Sequence, residues 1–467
     1  MGLAQYISTL IQTGLGSLAA YLAAHVLLCL LPAFLIAGAL AALVPKEAIT
    51  RYLGRNTSKW ISYPASAIGG FVLAVCSCTI MPLFASIYKK GAGLGPAITF
   101  LFVGPAVNIL AISLTGVAIG MDIALARVIL SIVFGVGIGL LMAWFFRKDD
   151  AAHDAATNTV DAFAGQGSVP ARTWIFFALL LGILIAGTLQ VDLLTNTYAT
   201  VTVGRSSAAL AATPTATAPV HWAARLQAWL DTMVPPNASM GIEGVSVQGV
   251  FLIGLLATIG VTAWKGLNQV DEGYNTWTYW ALGLITLTLI VASFSVSVGT
   301  RGLDIGITGK LIAEVLLIGT VWWIAITQFE EVEMQEWLWE AWRFVKQIMP
   351  LLIAGVFVAG MARAMIPAAW IRTIAGSNTV WANLAGVLFG VFMYFPTLVE
   401  VPIAQTFLSL GMQRGPLLAY LLADPELSLQ SILITNKIIG RKKTTVYVVL
   451  VAIFSTLAGL IFGWVVG

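Results

Sequence analysis

Two cysteines separated by one residue are the most reactive pattern in this chain. Cys76 and Cys78 lie inside an apolar segment, far in sequence from the remaining cysteine, Cys29, which we expect in a helix core. Thiolates prefer soft metals and metalloids. In a regular helix the two thiols would point about 200° apart, so sharing one centre requires a break in the helix. The pair predicts either a site for a thiophilic solute, a redox dithiol, or two small packed side chains.

Three carboxylates inside apolar segments are the second chemical feature. Glu400, Asp424 and Glu426 are expensive to place in a membrane, and such groups usually face a cavity or a charged partner. Burial favours the protonated form of a carboxyl group, so these residues are predicted to carry a coupled proton. The alternative is a structural ion pair with one of three cations: Arg363, Arg414 or Lys437.

Prolines interrupt the same apolar segments. A proline removes a backbone donor and breaks or kinks a helix, and broken helices at the membrane midplane commonly bind transported solutes. Packing kinks are the alternative for any single proline. The residues predicted to line a solute site are Cys76, Cys78, Thr79, Pro82, Pro105, Asn108, Pro396 and Pro402.

The elements that must position these residues are membrane helices. Mean hydropathy is +0.92, 59% of the residues are hydrophobic and only 10% are charged, whereas soluble domains carry about 25% charged residues. We therefore expect an all-α polytopic membrane protein in a lipid bilayer. The net charge of +3 gives no reason to expect nucleic acid. No P-loop, dinucleotide fingerprint or HExxH motif is present, so we expect neither an enzyme nor a bound cofactor or metal.

The chain contains similar segments twice, at an offset near 320 residues. GPAITFLFVGPAVN at 95–108 matches GPLLAYLLADPELS at 415–428, and RYLGRNT at 51–57 matches RTIAGSNT at 372–379. A duplicated unit with Pro-broken apolar segments is typical of secondary transporters. We predict repeat A over 1–148, a central insert over 149–329 and repeat B over 330–467.

The basic residues predict how the repeats sit in the membrane. If the segment Ile61–Tyr88, broken at Gly69-Gly70 and at Cys76–Pro82, returns as a re-entrant hairpin, the basic clusters of repeat A share one side. Repeat B has its basic run before its last helix, not after it, which predicts inverted topology. Its hairpin is Val380–Leu410, containing FPTLVEVP.

This predicted topology gives about eight full spans plus two hairpins, or ten spans if both hairpin segments cross the membrane. Four spans fall in the insert: 173–190, 247–264, 277–298 and 309–328. The polar loop 192–245 and the C-terminus are predicted outside. Amphipathic helices at Leu3–Tyr21 and Glu330–Gln347 are expected to lie on opposite membrane surfaces before the two repeats.

The motifs CSCTIMPL at 76–83, GPAVN at 104–108 and ADPELS at 423–428 resemble the ArsP/YraQ-type predicted permeases. The family core resembles CSC-[GT]-x-x-P followed by a GP-[AT]-x-N helix. Cys76, Cys78, Pro82, Pro105 and Asn108 match it, and Thr79 stands where many members have Gly. The resemblance implies a bacterial or archaeal inner-membrane permease, and some members export trivalent organoarsenicals.

Together these features predict a multi-pass inner-membrane permease with a small-molecule substrate. The expected activity is proton-coupled efflux of a thiophilic metalloid, an organoarsenical, or a small sulfur-containing or anionic compound. A channel-like pore and a membrane thiol redox protein are the alternatives, and assembly into a homo-oligomer stays open.

Overall fold

A computed structural model describes most of the chain. The described residues are 3–24, 30–73, 77–107, 112, 115–116, 118–158, 169–188, 192–203, 222–234, 245–299, 302–365, 368–392 and 400–466.

The first third consists of apolar helices joined by short turns. Its helices are α1 (Leu3–Ala24), α2 (Leu31–Leu43), α3 (Lys46–Leu53), α4 (Lys59–Leu73), α5 (Ser77–Lys89), α6 (Leu94–Ala106), α7 (Met121–Phe145) and α8 (Arg147–Asn158). One prediction for this region is wrong, because Gly69 and Gly70 lie inside α4 and do not break it.

The central third combines helices with a small sheet. Its elements are α9 (Ala171–Thr188), α10 (Asp192–Thr195), β1 (Thr197–Val203), α11 (Trp222–Met233), α12 (Val247–Gly266), a 3₁₀ segment (Leu267–Glu272), α13 (Thr276–Ala292), β2 (Ser295–Gly299), β3 (Gly302–Thr308) and α14 (Gly309–Gln328). The antiparallel sheet has the order β1-β3-β2, with Ile305 opposite both Val201 and Val296.

This sheet corrects two expectations. The loop predicted over 192–245 contains β1 and α11, and the span predicted over 277–298 ends at Ala292 because the chain turns into β2. Alternating β-branched residues such as Val296 and Val298 favour a strand over a further helical turn. The protein is therefore helical throughout its membrane-length segments, with one three-stranded sheet among the described residues.

The last third is again a series of helices. Its helices are α15 (Glu331–Met365), α16 (Ala368–Ala375), α17 (Val380–Phe392), α18 (Glu400–Ser409), α19 (Arg414–Leu427), α20 (Leu429–Ile439) and α21 (Arg441–Val466). Helices α19 and α20 meet at a 45° bend at Ser428. The Ser428 hydroxyl caps α20 by accepting from the Ser431 amide.

Six helices of the described chain are long and apolar enough to cross a membrane, and the bent pair α19–α20 would make seven. The six fall within Met121–Phe145, Ala171–Thr188, Val247–Glu272, Gly309–Gln328, Glu331–Met361 and Arg441–Val466. Lengths of this order match the ~20 residues that cross a ~30 Å hydrocarbon core. The chain is a multi-pass membrane protein.

Helix α15 corrects the amphipathic surface helix predicted over Glu330–Gln347. The segment runs without a break into the following apolar helix, giving 35 continuous residues. Its predicted apolar face is buried, because α2 and α1 pack against successive parts of it. A Cβ at Gly38 would lie 2.7 Å from the Cβ of Ala341, and one at Gly360 would lie 2.7 Å from the Cβ of Ser17.

Equivalent backbone contacts recur in the first and last thirds. The Gly93 amide donates to the Leu53 carbonyl at 2.8 Å, and the Gln413 amide donates to the Ala375 carbonyl at 3.0 Å. Just before each donor the chain turns through a glycine with positive φ, Gly91 at 89° and Gly411 at 96°. Side chains rarely adopt that conformation, which explains glycine at both turns.

Glycine pairs bring α7 and α21 close to neighbouring helices in the first and last thirds. A Cβ at Gly139 of α7 would lie 2.6 Å from the carbonyl oxygen of Gly95 in α6. A Cβ at Gly459 of α21 would lie 2.5 Å from the carbonyl oxygen of Gly415 in α19. Small residues permit close backbone approach where lipid supplies no hydrophobic driving force for helix association.

We expect Gly139→Ala and Gly459→Ala to destabilise the protein to a similar degree, by about 1–3 kcal/mol, because each methyl group meets a backbone carbonyl that cannot move aside. Thermal unfolding in detergent, followed by tryptophan fluorescence, measures the loss. Gly254→Ala is the matched control, since nothing lies within 4 Å of the added methyl group. Equal behaviour of all three variants would contradict the close approach.

Candidate functional site

The centre of the molecule contains a buried ion pair. Arg127 of α7 is 0% exposed, and its Nη2 donates to Oε2 of Glu400 at 2.9 Å. Glu400 is equally buried and is the first residue of α18. The pair therefore joins the first and last thirds of the chain across 273 sequence positions.

A second buried carboxylate lies beside this pair. Glu426 of α19 accepts a hydrogen bond from the Tyr447 hydroxyl of α21 at 2.8 Å. Both side chains are almost inaccessible, and the Arg127 guanidinium is close enough to act on Glu426 electrostatically. We call Arg127, Glu400, Glu426 and Tyr447 the carboxylate cluster.

The carboxylate cluster does not satisfy its own hydrogen-bonding capacity. Nε and Nη1 of Arg127, Oε1 of Glu400 and Oε1 of Glu426 are buried without a hydrogen-bond partner among the described residues. Buried polar atoms are usually paired, and exceptions tend to mark functional sites. Two donors and two acceptors are thus available to a proton, a water molecule or a small polar solute.

Asp424 lies on a different face of α19 from Glu426, two residues away. Two residues correspond to about 200° around a helix, so the side chains leave α19 on opposite sides. Asp424 is buried against α17, where a Cβ at Gly390 would lie 3.4 Å from the Cβ of Asp424. Glu400 and Glu426 both lie near Arg127.

Helix α5 carries the described part of the cysteine segment. It runs from Ser77 to Lys89 and contains Pro82, so the predicted Cys76–Pro82 break is wrong from Ser77 onward, while Cys76 lies outside the described residues. Thr79 and Pro82 are both buried in it. Because Pro82 has no N–H, the Cys78 carbonyl lacks its ordinary helical donor.

Other predicted site residues are only partly described. Pro105 is buried within α6, one residue before its end. Cys76, Asn108 and Pro396 lie outside the described residues, as do the side chains of Cys78 and Pro402.

Sequence reasoning missed Arg127 and Tyr447. Arg127 is the lone basic residue within the apolar helix Met121–Phe145, and an isolated ionisable residue in a membrane span is itself a signal of function. Tyr447 carries no comparable signal. Glu400 pairs with Arg127 and not with one of the three cations named as possible structural partners of the carboxylates. Of those three, Arg414 pairs with Asp122 at 2.8 Å in a half-exposed position.

Comparison with known proteins confirms the resemblance. The model of the ArsP_1 family, described as predicted permease, matches residues 13–464. The UPF0718 protein MJ0584 of Methanocaldococcus jannaschii is 33% identical over 463 residues, covering 99% of this chain and 98% of that protein. The UPF0718 protein YraQ of Escherichia coli K12 is 30% identical over 121 residues, or 25% of this chain and 34% of YraQ. No solved structure matches the chain. This chain, which buries charged residues among membrane-length helices, therefore belongs to the ArsP_1 family of predicted permeases.

Proposed function

We propose that this permease is a proton-coupled secondary transporter that exports a small solute across the inner membrane. The observation that carries the proposal is the carboxylate cluster, in which Arg127 of the first third donates to Glu400 of the last third and acts electrostatically on Glu426. A site built from both ends of a chain is suited to movement of one part against the other.

The proposed architecture is a pair of inverted repeats, 1–148 and 330–467, around the insert 149–329. The glycine pairs and turn contacts that recur near an offset of 320 support the repeat. Polar contacts also connect the two proposed repeats. Arg414 at the start of α19 donates to Asp122 at the start of α7, and Lys443 near the start of α21 reaches the Tyr88 hydroxyl in α5 at 3.3 Å.

Helix lengths support the two re-entrant hairpins. Helices α4 and α5 contain 15 and 13 residues, and α17 and α18 contain 13 and 10. At 1.5 Å per residue each reaches about 15–23 Å, less than a ~30 Å hydrocarbon core. Two such helices fit as the arms of a hairpin that enters and leaves on one side.

Charge balance supports proton coupling. Two buried carboxylates face one guanidinium, and an uncompensated charge in hydrocarbon is costly, so one carboxylate is best occupied by a proton. Glu400 has the Arg127 contact and the N-terminus of α18, both of which favour an anion. Glu426 lies at the C-terminal end of α19, where the helix dipole disfavours negative charge. We assign the exchangeable proton to Glu426.

The free N–H groups of Arg127 suit an anionic or hydrogen-bond-accepting solute. Cys76 and Cys78 would suit a thiophilic one, and both features together favour a small arsenical or a sulfur-containing compound.

The proposed orientation in the membrane follows from the basic residues. It places the basic residues of repeat A in the cytoplasm and the segment 192–245 and the C-terminus outside.

Gradient-driven transport should require Glu426 of the carboxylate cluster. We expect Glu426→Gln to abolish acceleration by a proton gradient while leaving the protein folded, because glutamine mimics the protonated acid and keeps an acceptor for Tyr447. Uptake into everted vesicles, with trivalent organoarsenicals, arsenite, antimonite and sulfur oxyanions as substrates, measures this. Asp122→Asn is the matched control, since Asp122 is a half-exposed carboxylate outside the cluster. Full gradient dependence in Glu426→Gln would refute the proton assignment.

Substitution of Arg127 and Glu400 distinguishes a structural role of this ion pair from a role in transport. Arg127→Met leaves Glu400 buried alone and should cost about 3–5 kcal/mol of stability, whereas Arg127→Met/Glu400→Met should recover most of it. Thermal unfolding tests both expectations. If the stable double variant still transported solute at the wild-type rate, the pair would be structural only.

The cysteine pair gives an independent test of substrate class. We expect Cys76→Ser/Cys78→Ser to abolish transport of the arsenical and antimony substrates, with Cys29→Ser unchanged as the control for losing a thiol. Thiol titration with and without reductant distinguishes the redox alternative. Wild-type uptake in the double variant would exclude thiol ligation of the solute.

A further inference from the structure

A polar pocket of about 400 Å³ opens at the membrane end of α7, away from the carboxylate cluster. It lies between the turn after α3, the start of α4 and the junction of α7 with α8. We call it the interfacial pocket. The side chains that give it its chemistry are Arg55, Lys59, Tyr63, Trp144, Arg147 and Asp150.

The interfacial pocket carries a net positive charge. Arg55, Lys59 and Arg147 supply three cations against the single carboxylate of Asp150. That carboxylate is already used, since one oxygen accepts from the Leu94 amide at 2.9 Å and the other lies 4.0 Å from Nε of Arg55. Lys59 and Arg147 keep exposed charged groups at the pocket mouth.

The corresponding place in the last third of the chain is filled. There the Asn378 side chain enters between helices, donating to the Leu460 carbonyl at 3.0 Å and accepting from the Asn383 amide group at 2.9 Å. Its entry depends on Gly463, where a Cβ would lie 2.5 Å from Oδ1 of Asn378.

Repeat A cannot close in the same way. The matched RNT and SNT motifs place Asn56 opposite Asn378, and the offset of 320 places Ala143 opposite Gly463. The Ala143 methyl group occupies the room that the asparagine side chain would need, and Asn56 is exposed. The pocket is therefore a specific difference between the two similar halves, and only this half has the cations: Ser377 stands opposite Arg55.

The surroundings of the pocket indicate where its ligand comes from. Trp144 is 70% exposed and Trp60 is 90% exposed, and Leu140 on the pocket wall is also exposed. Tryptophans in this position mark the level of lipid headgroups. Basic pockets at helix ends on the cytoplasmic side bind phosphate-bearing headgroups through charge-assisted hydrogen bonds. We propose that the interfacial pocket binds the phosphate group of an anionic phospholipid.

The test uses the purified full chain in a neutral detergent. Bound lipid is counted by native mass spectrometry, and the apparent dissociation constant is obtained by titration with phosphatidylglycerol, phosphatidylcholine or inorganic phosphate. Lys59→Gln/Arg147→Gln removes two pocket cations and should weaken phosphatidylglycerol binding roughly 30-fold. Arg372→Gln/Arg441→Gln makes the same change in net charge at exposed positions of the last third and is the matched control.

A second variant tests the cavity itself. Ala143→Leu fills the interfacial pocket without changing its charge and should also abolish the tightly bound phosphatidylglycerol. Selective loss in these two variants, with phosphatidylcholine binding weakly throughout, supports the proposal. The same site-dependent loss seen with inorganic phosphate would keep the phosphate site but assign it to a soluble anion. Equal weakening in the control pair, or undiminished binding in Ala143→Leu, would overturn it.

Discussion

A guanidinium and a carboxylate without access to water must remain in contact, and this requirement links the two ends of the chain. Arg127 and Glu400 are both fully buried and lie 2.9 Å apart. Removing either charge leaves the other uncompensated in a medium that solvates it poorly. α18 is thereby fixed at Glu400 against the N-terminal part of α7.

Close backbone packing provides the rigid frame around this pair. The glycine contacts between α6 and α7 and between α19 and α21 make each pair of helices a single body. The carboxylate cluster is distributed over both bodies: Arg127 belongs to the first, and Glu426 and Tyr447 belong to the second. Glu400 lies on α18, which belongs to neither pair. A movement of one body against the other would therefore act on the electrostatic interaction between Arg127 and Glu426, while contacts within each body stay unchanged.

The positions of apolar helices could be predicted from sequence, but their breaks could not. Hydropathy located helices such as α9 and α14 within a few residues, because a segment of about twenty apolar residues in a bilayer forms a membrane-spanning helix. Gly69-Gly70 and Pro82 were expected to interrupt helices, yet both lie inside them. Glycine is tolerated in a membrane helix where a neighbour packs closely, and here a Cβ at Gly70 would lie 2.9 Å from the Gly104 amide nitrogen.

The candidate site shows the same limit for a different reason. Glu400 and Glu426 could be predicted as functional residues because carboxylates are rare in apolar segments. Their partners could not be identified, since a contact across 273 positions leaves no local pattern. Asp424 was grouped with Glu426 because both are carboxylates in an apolar segment, whereas helix geometry points the two side chains in opposite directions.

The differences between the similar halves follow from single residues placed in a shared frame. Tyr447 of α21 stands 320 positions after Arg127 of α7, and each contacts a carboxylate of the last third. Ala106 stands 320 positions before Glu426, so the first third has no carboxylate at that place. The other ends of α7 and α21 also differ by one methyl group. Ala143 of α7 lines an open basic pocket, whereas the Asn378 side chain fills the space beside Gly463 of α21. The glycine contacts meet backbone carbonyls in both the first and the last third, whereas the proposed transport and lipid sites lie where the side chains of the two thirds differ.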